Sequence, residues 1–126
     1  MLPATEKIQV LNPSPCEIRV VFPPLVSARG IDDYYRNLLH LLRLQPGSSQ
    51  LVVDFRPVKK VNLKATLTAT EWLPKTKKYV ERVGAFGLKH WMHSILKAVL
   101  KISQRDDIKV FESQDQAEAW ALGTTH

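Results

Sequence analysis

Cysteine is nearly absent from this sequence, and no apolar run in it is long enough to span a membrane. Cys16 is the single cysteine, so no disulfide can form within the chain. The first ten residues lack the basic start and the apolar centre of a signal peptide. These absences predict a cytoplasmic protein without a transmembrane segment, in which Cys16 is an inert thiol.

The sequence also lacks the motifs of common catalytic, cofactor and nucleic-acid-binding sites. It has no Gly-x-Ser-x-Gly elbow, no P-loop and no complete dinucleotide fingerprint. It has no aromatic RNA-binding motif, zinc spacing or helix-turn-helix. His90 and His93 have the spacing of two helical metal ligands, but a third ligand at a usual interval is missing. These absences argue against an enzyme, a cofactor, a bound metal and a nucleic-acid partner.

The basic residues are concentrated in one segment of the chain. The net charge is +6. Residues 56–105 carry twelve basic against two acidic residues, a net charge of +10, whereas the remainder carries six basic against ten acidic residues, a net charge of −4. Such segregation predicts that one side of the folded protein meets an anionic partner.

The hydrophobic pattern predicts one α/β domain over residues 1–126, with its core at about 6–122. The elements follow the order strand, strand, helix, and then strand and helix three times. This order predicts a single-layer, mixed but mostly parallel sheet of five strands with about four helices. The predicted strands are 7–11, 17–22, 50–55, 79–86 and 108–113. The continuous apolar strand at 50–55 is typical of a central strand that is covered on both faces.

The four helices are predicted with different degrees of local support. The first begins at the cap Ser27 and stops at the QPG stretch, and the last begins at Ser113, which forms a capping box with Gln116. The third is predicted over 87–102. Segment 62–73 alternates like a strand, but its composition and the need for a crossover connection favour a helix.

Three segments resemble the SpoIIAA-like proteins of the STAS superfamily. They are "LVVDFRPV", a strand that ends at Asp54; "VERVGAFGLKHWMHSILKAVLK", a strand followed by a glycine break and a helix; and "IKVFESQDQAEAWAL", a strand followed by a short helix. The resemblance covers roughly residues 17–122. It implies a small STAS/CRAL-TRIO-like domain that regulates by binding a protein, without enzymatic activity.

One position departs from the family pattern. Anti-sigma-factor antagonists of this superfamily carry a phosphorylatable serine in an Asp-Ser-Ser-Gly-Leu stretch after the central strand. Here the corresponding stretch is "NLKAT", with Leu63 and Lys64 at the serine positions. Thr66 is the nearest hydroxyl, and inside a helix such a hydroxyl tends to bond its own backbone. The resemblance therefore gives no support to a phosphorylation switch in this chain.

The helix predicted over 87–102 has an apolar stripe on one side and a basic row on the other. The stripe is expected to pack on the sheet, and it consists of Leu88, Trp91, Met92, Ile95, Leu96, Val99, Leu100 and Ile102. The row is expected to join three lysines before it in a basic side that binds an acidic protein partner. The predicted basic side consists of Lys59, Lys60, Lys64, Lys89, His93, Lys97 and Lys101.

The turn "GAFG" supports an alternative function. Glycines between a strand and a helix allow backbone N–H groups to approach an anion. Gly84, Gly87, Lys89 and His90 would then hold the anionic head of a lipid or another small ligand beside an apolar slot. The same glycines are also typical of a plain strand-to-helix turn. The sequence leaves both interpretations open, together with the possibility of a homodimer.

Overall fold

A computed structural model describes residues 2–123, in which strands and helices alternate. The strands are β1 (Gln9–Ser14), β2 (Glu17–Val21), β3 (Leu25–Val26), β4 (Ser49–Asp54), β5 (Lys60–Val61), β6 (Val80–Phe86) and β7 (Ile108–Phe111). The helices are α1 (Ala28–Leu44), α2 (Leu63–Thr76), α3 (His90–Ile102) and α4 (Gln114–Leu122). The predicted domain of 1–126 includes Met1 and residues 124–126, which lie outside the described residues.

The main sheet has five strands in the order β1-β2-β4-β6-β7. Strand β1 is antiparallel to β2, and its register shifts between Leu11 and Ser14. All other neighbours in this sheet are parallel. The structure thus confirms the mostly parallel sheet, the four helices and the central position of β4. Strands β3 and β5 form a separate parallel pair that was not predicted, because two residues are too few to show a pattern.

The two faces of the sheet are covered unequally. Helices α1, α2 and α3 pack on one face of the sheet and form the larger core with it. Leu51 and Val53 of β4 belong to this core. Helix α4 covers the other face, where Val52 of β4 packs with Phe86 and with two alanines of the helix. Successive residues of a strand point to opposite faces, so a strand covered on both sides is apolar throughout.

Helix α4 lies unusually close to the sheet at Gly84. A Cβ atom at this position of β6 would be 2.5 Å from the backbone oxygen of Ala117. The helix begins as predicted at Ser113, whose hydroxyl accepts a hydrogen bond of 3.2 Å from the backbone N–H of Gln116. The missing side chain at Gly84 therefore sets how closely α4 can pack.

The bounds of several elements differ from the prediction, most clearly in β1, β6 and α3. Strand β1 runs over Gln9–Ser14 and not over 7–11. Strand β6 begins at Val80, since Tyr79 lies in a short 3₁₀ helix. Helix α3 begins at His90 and not at Gly87. Gly87 has a φ of +81°, and Lys89 has the extended ψ of 157°. Neither conformation is helical, so the helix starts only after the turn.

The apolar stripe of α3 is also narrower than predicted. Met92 and Val99 face the core, but Trp91 is 41% exposed and Ile102 is 72% exposed. An α-helix turns by about 100° per residue, so Trp91 lies well to the side of the direction that Met92 takes. One flank of α3 therefore presents apolar side chains to the surface.

Candidate functional site

The lysines that precede and open α2 lie on the surface. The backbone N–H groups of Lys59 and Lys60 both donate to the carbonyl of Pro24, at 2.8 and 3.0 Å. Lys59 precedes β5 and Lys60 begins it, opposite Leu25 of β3. Lys64 follows in the first turn of α2. All three side chains are exposed. No acidic side chain within residues 2–123 forms an ion pair with them.

Lys89 is close to these lysines, but its ammonium group is engaged. The residue forms the cap of α3 and lies just before the first turn, in which it was predicted. Its Nζ donates to the carbonyl of Arg56 at 3.0 Å and to the carbonyl of Val58. These bonds fasten the start of α3 to the loop that leads to Lys59. Two of the three ammonium protons are consequently used within the protein.

Replacing Lys89 with methionine should lower the free energy of unfolding by about 1 kcal/mol, because the two carbonyl groups lose a charged donor at a partly exposed site. Lys97→Met is the matched control, since Lys97 is exposed on the same helix, and it should change stability by less than about 0.5 kcal/mol. Urea unfolding of both variants would measure the difference. Equal stabilities would mean that the Lys89 bonds contribute nothing.

The predicted anion-binding turn contains three of its four expected residues. Gly84 lies inside β6, opposite Val52 of β4, and is buried under α4. Gly87 forms the turn itself, and a Cβ atom there would be 2.4 Å from Cγ of Arg56. His90 opens α3 and is exposed. The turn is therefore built on contact with the loop after β4, and Gly84 serves packing elsewhere.

The basic row on α3 extends away from this turn. His93, Lys97 and Lys101 are exposed. With a rise of 1.5 Å per residue, Lys97 lies about 12 Å and Lys101 about 18 Å from Lys89 along the helix. The near end of the row lies closest to Lys59, because Lys89 donates to the carbonyls of Arg56 and Val58. The far end lies beside the end of α2, where Lys77 donates to the carbonyl of Gln104.

Two arginines of the basic segment do not belong to this free charge. The guanidinium of Arg56 donates to both carboxylate oxygens of Asp54, and these hydrogen bonds raise the pKa of that guanidinium. The side chain of Arg105 is 1% exposed and pairs with Asp107 at 2.6 Å. The net charge of the segment thus overstates the charge that a partner can reach.

Exposed leucines accompany the lysines of α2. Leu63 is 78% exposed and Leu67 is 58% exposed. They are four residues apart and therefore lie on the same side of the helix. Between them, the hydroxyl of Thr66 donates to the carbonyl of Leu63 at 2.6 Å, which is the backbone bond expected of a threonine inside a helix. We call Lys59, Lys60, Leu63, Lys64 and Leu67 the lysine–leucine surface.

A cavity of about 140 Å³ lies between the sheet and helices α1, α2 and α3. Its wall is mainly apolar and includes Leu51 and Val53 of β4, Ala69 of α2 and Met92 of α3. Leu88, in the turn before α3, also lines it. An apolar slot therefore lies beside the predicted turn. Leu88 is its contact with the turn, and the rest of its wall is formed by core residues of the sheet and of the three helices.

The structure adds neither a metal site nor a membrane helix within the residues that it describes. No three His, Cys, Asp or Glu residues are grouped as metal ligands in this part of the chain. Every helix between residues 2 and 123 is too short or too polar to cross a bilayer.

The architecture is that of a small α/β domain with a mostly parallel five-stranded sheet and helices on both faces. The model of the SpoIIAA-like family matches residues 18–122. The chain belongs to the SpoIIAA-like family.

One solved structure and the curated proteins complete the comparison. The crystal structure of an uncharacterized DUF3478-family protein from Shewanella loihica PV-4, described as having a SpoIIAA-like fold, superposes with a TM-score of 0.70. It is 14% identical, and the match covers 96% of this chain and 98% of that chain. Identity this low shows the shared fold alone. No curated protein matches the sequence significantly.

Proposed function

We propose that this protein is a non-enzymatic regulatory domain that binds an acidic protein partner in the cytoplasm. The lysine–leucine surface is the centre of the binding site, and His93, Lys97 and Lys101 extend it along α3. The observation that carries the proposal is the combination of exposed leucines with lysines that have no acidic partner among the described residues.

The combination of side chains favours a protein as the partner. Protein interfaces have an apolar centre that loses its water and a polar rim that provides complementary charge. Leu63 and Leu67 supply such a centre, and Lys60 and Lys64 flank it. A nucleic acid would contact the lysines through its phosphates, which form hydrogen bonds with charged and polar groups and not with exposed leucines. Two leucines also offer little area for insertion into a bilayer, since the apolar side of α2 faces the core.

The position of this surface gives further support. Leu63 and Lys64 occupy the place at which the resembling anti-sigma-factor antagonists carry their phosphorylatable serine. In those proteins phosphorylation adds negative charge at the start of the helix. Here Lys64 places a permanent positive charge in the same region. A partner of this chain is therefore expected to be acidic where it contacts α2.

The anionic-ligand alternative at the Gly84–Lys89 turn has less support. Gly84 is enclosed beneath α4 and cannot touch a ligand at the turn. Lys89 uses two of its protons on backbone carbonyls. A ligand would have to rely on Gly87, His90 and one remaining ammonium proton, whereas the lysines of the lysine–leucine surface are exposed.

Charge reversal at Lys60 and Lys64 tests the proposal. Proteins captured from an extract of the native cells by the wild-type domain would be purified, and their affinities measured by calorimetry. Lys60→Glu combined with Lys64→Glu should weaken the binding of a true partner at least about tenfold. The control, Lys7→Glu with Lys109→Glu, makes the same change in net charge at two exposed lysines outside the basic segment and should alter Kd by less than about twofold.

Three results would contradict the proposal. Equal weakening of binding by the two double variants would show a dependence on net charge alone. Binding of Leu63→Ser with Leu67→Ser as tight as that of the wild type would remove the apolar centre. Tighter binding to vesicles that contain phosphatidylserine, or to a single-stranded oligonucleotide, than to any captured protein would assign the surface to lipid or nucleic acid.

A further inference from the structure

The apolar cavity contains two polar groups whose presence packing alone does not explain. Tyr34 and Tyr35 are neighbours on α1, are 4% and 8% exposed, and both line the cavity. Their ring centroids are 4.6 Å apart. Phenylalanine would fill the same space without burying a hydroxyl group. Buried hydroxyl groups in native proteins are normally hydrogen-bonded, so two of them together require an explanation.

No side-chain hydrogen bond within residues 2–123 involves either hydroxyl, and neither oxygen is fully enclosed, unlike the unbonded hydroxyl oxygens of Ser49 and Ser103. Since both residues line the cavity, a molecule in the cavity can reach their oxygens. Burial raises the pKa of Tyr34 well above its usual value and raises that of Tyr35 to about 12, although the nearby charge of Arg105 opposes both shifts. Both phenols therefore keep their protons at neutral pH. Each can donate one hydrogen bond and accept others.

The remaining polar groups in the wall are already bonded. Arg105 donates to both oxygens of Asp107, to the carbonyl of Leu73 and to the hydroxyl of Thr76. The hydroxyl of Thr66 donates to its own helix. The only cation in the wall is thus balanced by a carboxylate. A negatively charged ligand would enter an apolar space without a free positive charge to compensate it, which is strongly unfavourable.

We propose that the cavity binds a small uncharged molecule with an apolar body and one oxygen-bearing group, which hydrogen-bonds to Tyr34 and Tyr35. Alcohols, phenols and ketones of roughly six to eight heavy atoms have the right size, since a dry cavity of about 150 Å³ accepts benzene. A single water would pair with the hydroxyl groups but would leave most of the apolar wall unfilled. The site lies in the core and is independent of the lysine–leucine surface.

Three aromatic probes that differ in one substituent test this assignment. Phenol, toluene and benzoate would be titrated into the full chain while the methyl signals of Val53, Met92 and Val99, which line the cavity, are followed by NMR. Phenol should bind with a Kd roughly threefold to tenfold lower than that of toluene, the range expected for one net hydrogen bond. Benzoate should not enter.

The tyrosine variants identify the groups responsible. Tyr34→Phe combined with Tyr35→Phe should raise the Kd of phenol to that of toluene and leave toluene binding unchanged. If the double variant does not fold, each single variant carries the same comparison. Ala69→Leu fills part of the cavity and should weaken both probes, whereas Lys109→Glu, at an exposed position outside the cavity wall, should affect neither.

The proposal is overturned if phenol and toluene bind the wild type equally, or if the phenylalanine variants keep the preference for phenol. It is also overturned if neither probe shifts the methyl signals and a crystal structure shows only water at the two hydroxyl groups. Loss of partner binding in the charge-reversal variants has no bearing on these outcomes, because those variants leave the cavity wall unchanged.

Discussion

Arg105→Met should lower the free energy of unfolding by about 3–5 kcal/mol, the typical cost of removing one member of a buried ion pair. The guanidinium of Arg105 is almost completely enclosed, and Asp107 is only slightly more accessible. Methionine fills a similar volume but leaves the carboxylate of Asp107 without its counter-charge. The carbonyl of Leu73 and the hydroxyl of Thr76 also lose their donor, so the end of α2 loses its attachment to the loop before β7.

A surface pair of the same chemistry provides the control. Arg36 pairs with Asp32 at 2.9 Å on α1, and the side chain of Arg36 is 71% exposed. Arg36→Met should therefore cost less than about 0.5 kcal/mol. Urea unfolding at neutral pH would compare the two variants. Adding Asp107→Leu to Arg105→Met should restore part of the lost stability by removing the unpaired carboxylate. Equal costs for Arg105→Met and Arg36→Met would contradict the structural assignment.

Gly84→Ala should lower the free energy of unfolding by about 2 kcal/mol. The new methyl group would lie 2.5 Å from the backbone oxygen of Ala117, and α4 has to move away because a backbone atom cannot rotate aside. Overpacking of this kind typically costs about 1–3 kcal/mol. Gly84→Val should cost more. The fluorescence of Trp120, which belongs to α4 and packs against the sheet, would report the displacement of the helix.

Gly47→Ala is the matched control for this effect. Its Cβ atom would make only an ordinary contact, 4.0 Å from Sγ of Cys16, and the change should be nearly neutral. If α4 were not close to β6, Gly84→Ala would stabilise the protein by roughly 0.5–1 kcal/mol, because alanine is more favourable than glycine inside a strand.

A Gly84→Ala variant that is as stable as the wild type, or more stable, would therefore exclude the close approach of α4 to β6.

The sequence was most informative where one physical requirement determined several residues. The run from Leu51 to Val53 is apolar without interruption because helices cover both faces of β4, and this predicted the central strand. Ser113 and Gln116 predicted the start of α4 because the cap bond involves residues three positions apart. The family resemblance agreed with the fold because it rested on the same strand and helix boundaries.

Features that depend on distant residues could not be predicted. Arg105 was counted with the surface charge, because its burial depends on Leu73 and Thr76 at the end of α2. The only local signal was Asp107, two residues away. The sequence suggested an apolar slot beside the turn, but the size of the cavity and the residues of its wall could not be predicted, since its volume results from the imperfect fit of three helices on the sheet. Local patterns do not contain that fit.

The candidate binding surface was predicted in part. The exposed lysines were identified from charge alone, because charged side chains remain in water. Leu63 and Leu67 were missed, because their alternation with polar residues resembled a strand. Their exposure follows from the orientation of α2, which turns the small residues Ala65 and Ala69 toward the core. The small size of these two alanines was the available signal that the leucines lie on the other side.

The register shift in β1 has a consequence for self-association. A sheet grows between molecules when a regular outer strand offers unpaired backbone groups to a second copy. The shift between Leu11 and Ser14, together with Pro13 in that segment, makes the outer strand on one side irregular and removes one backbone donor. On the other side β7 has only four residues. Two copies of this protein are therefore poorly suited to join into one continuous sheet, and a homodimer would have to form through helices or loops.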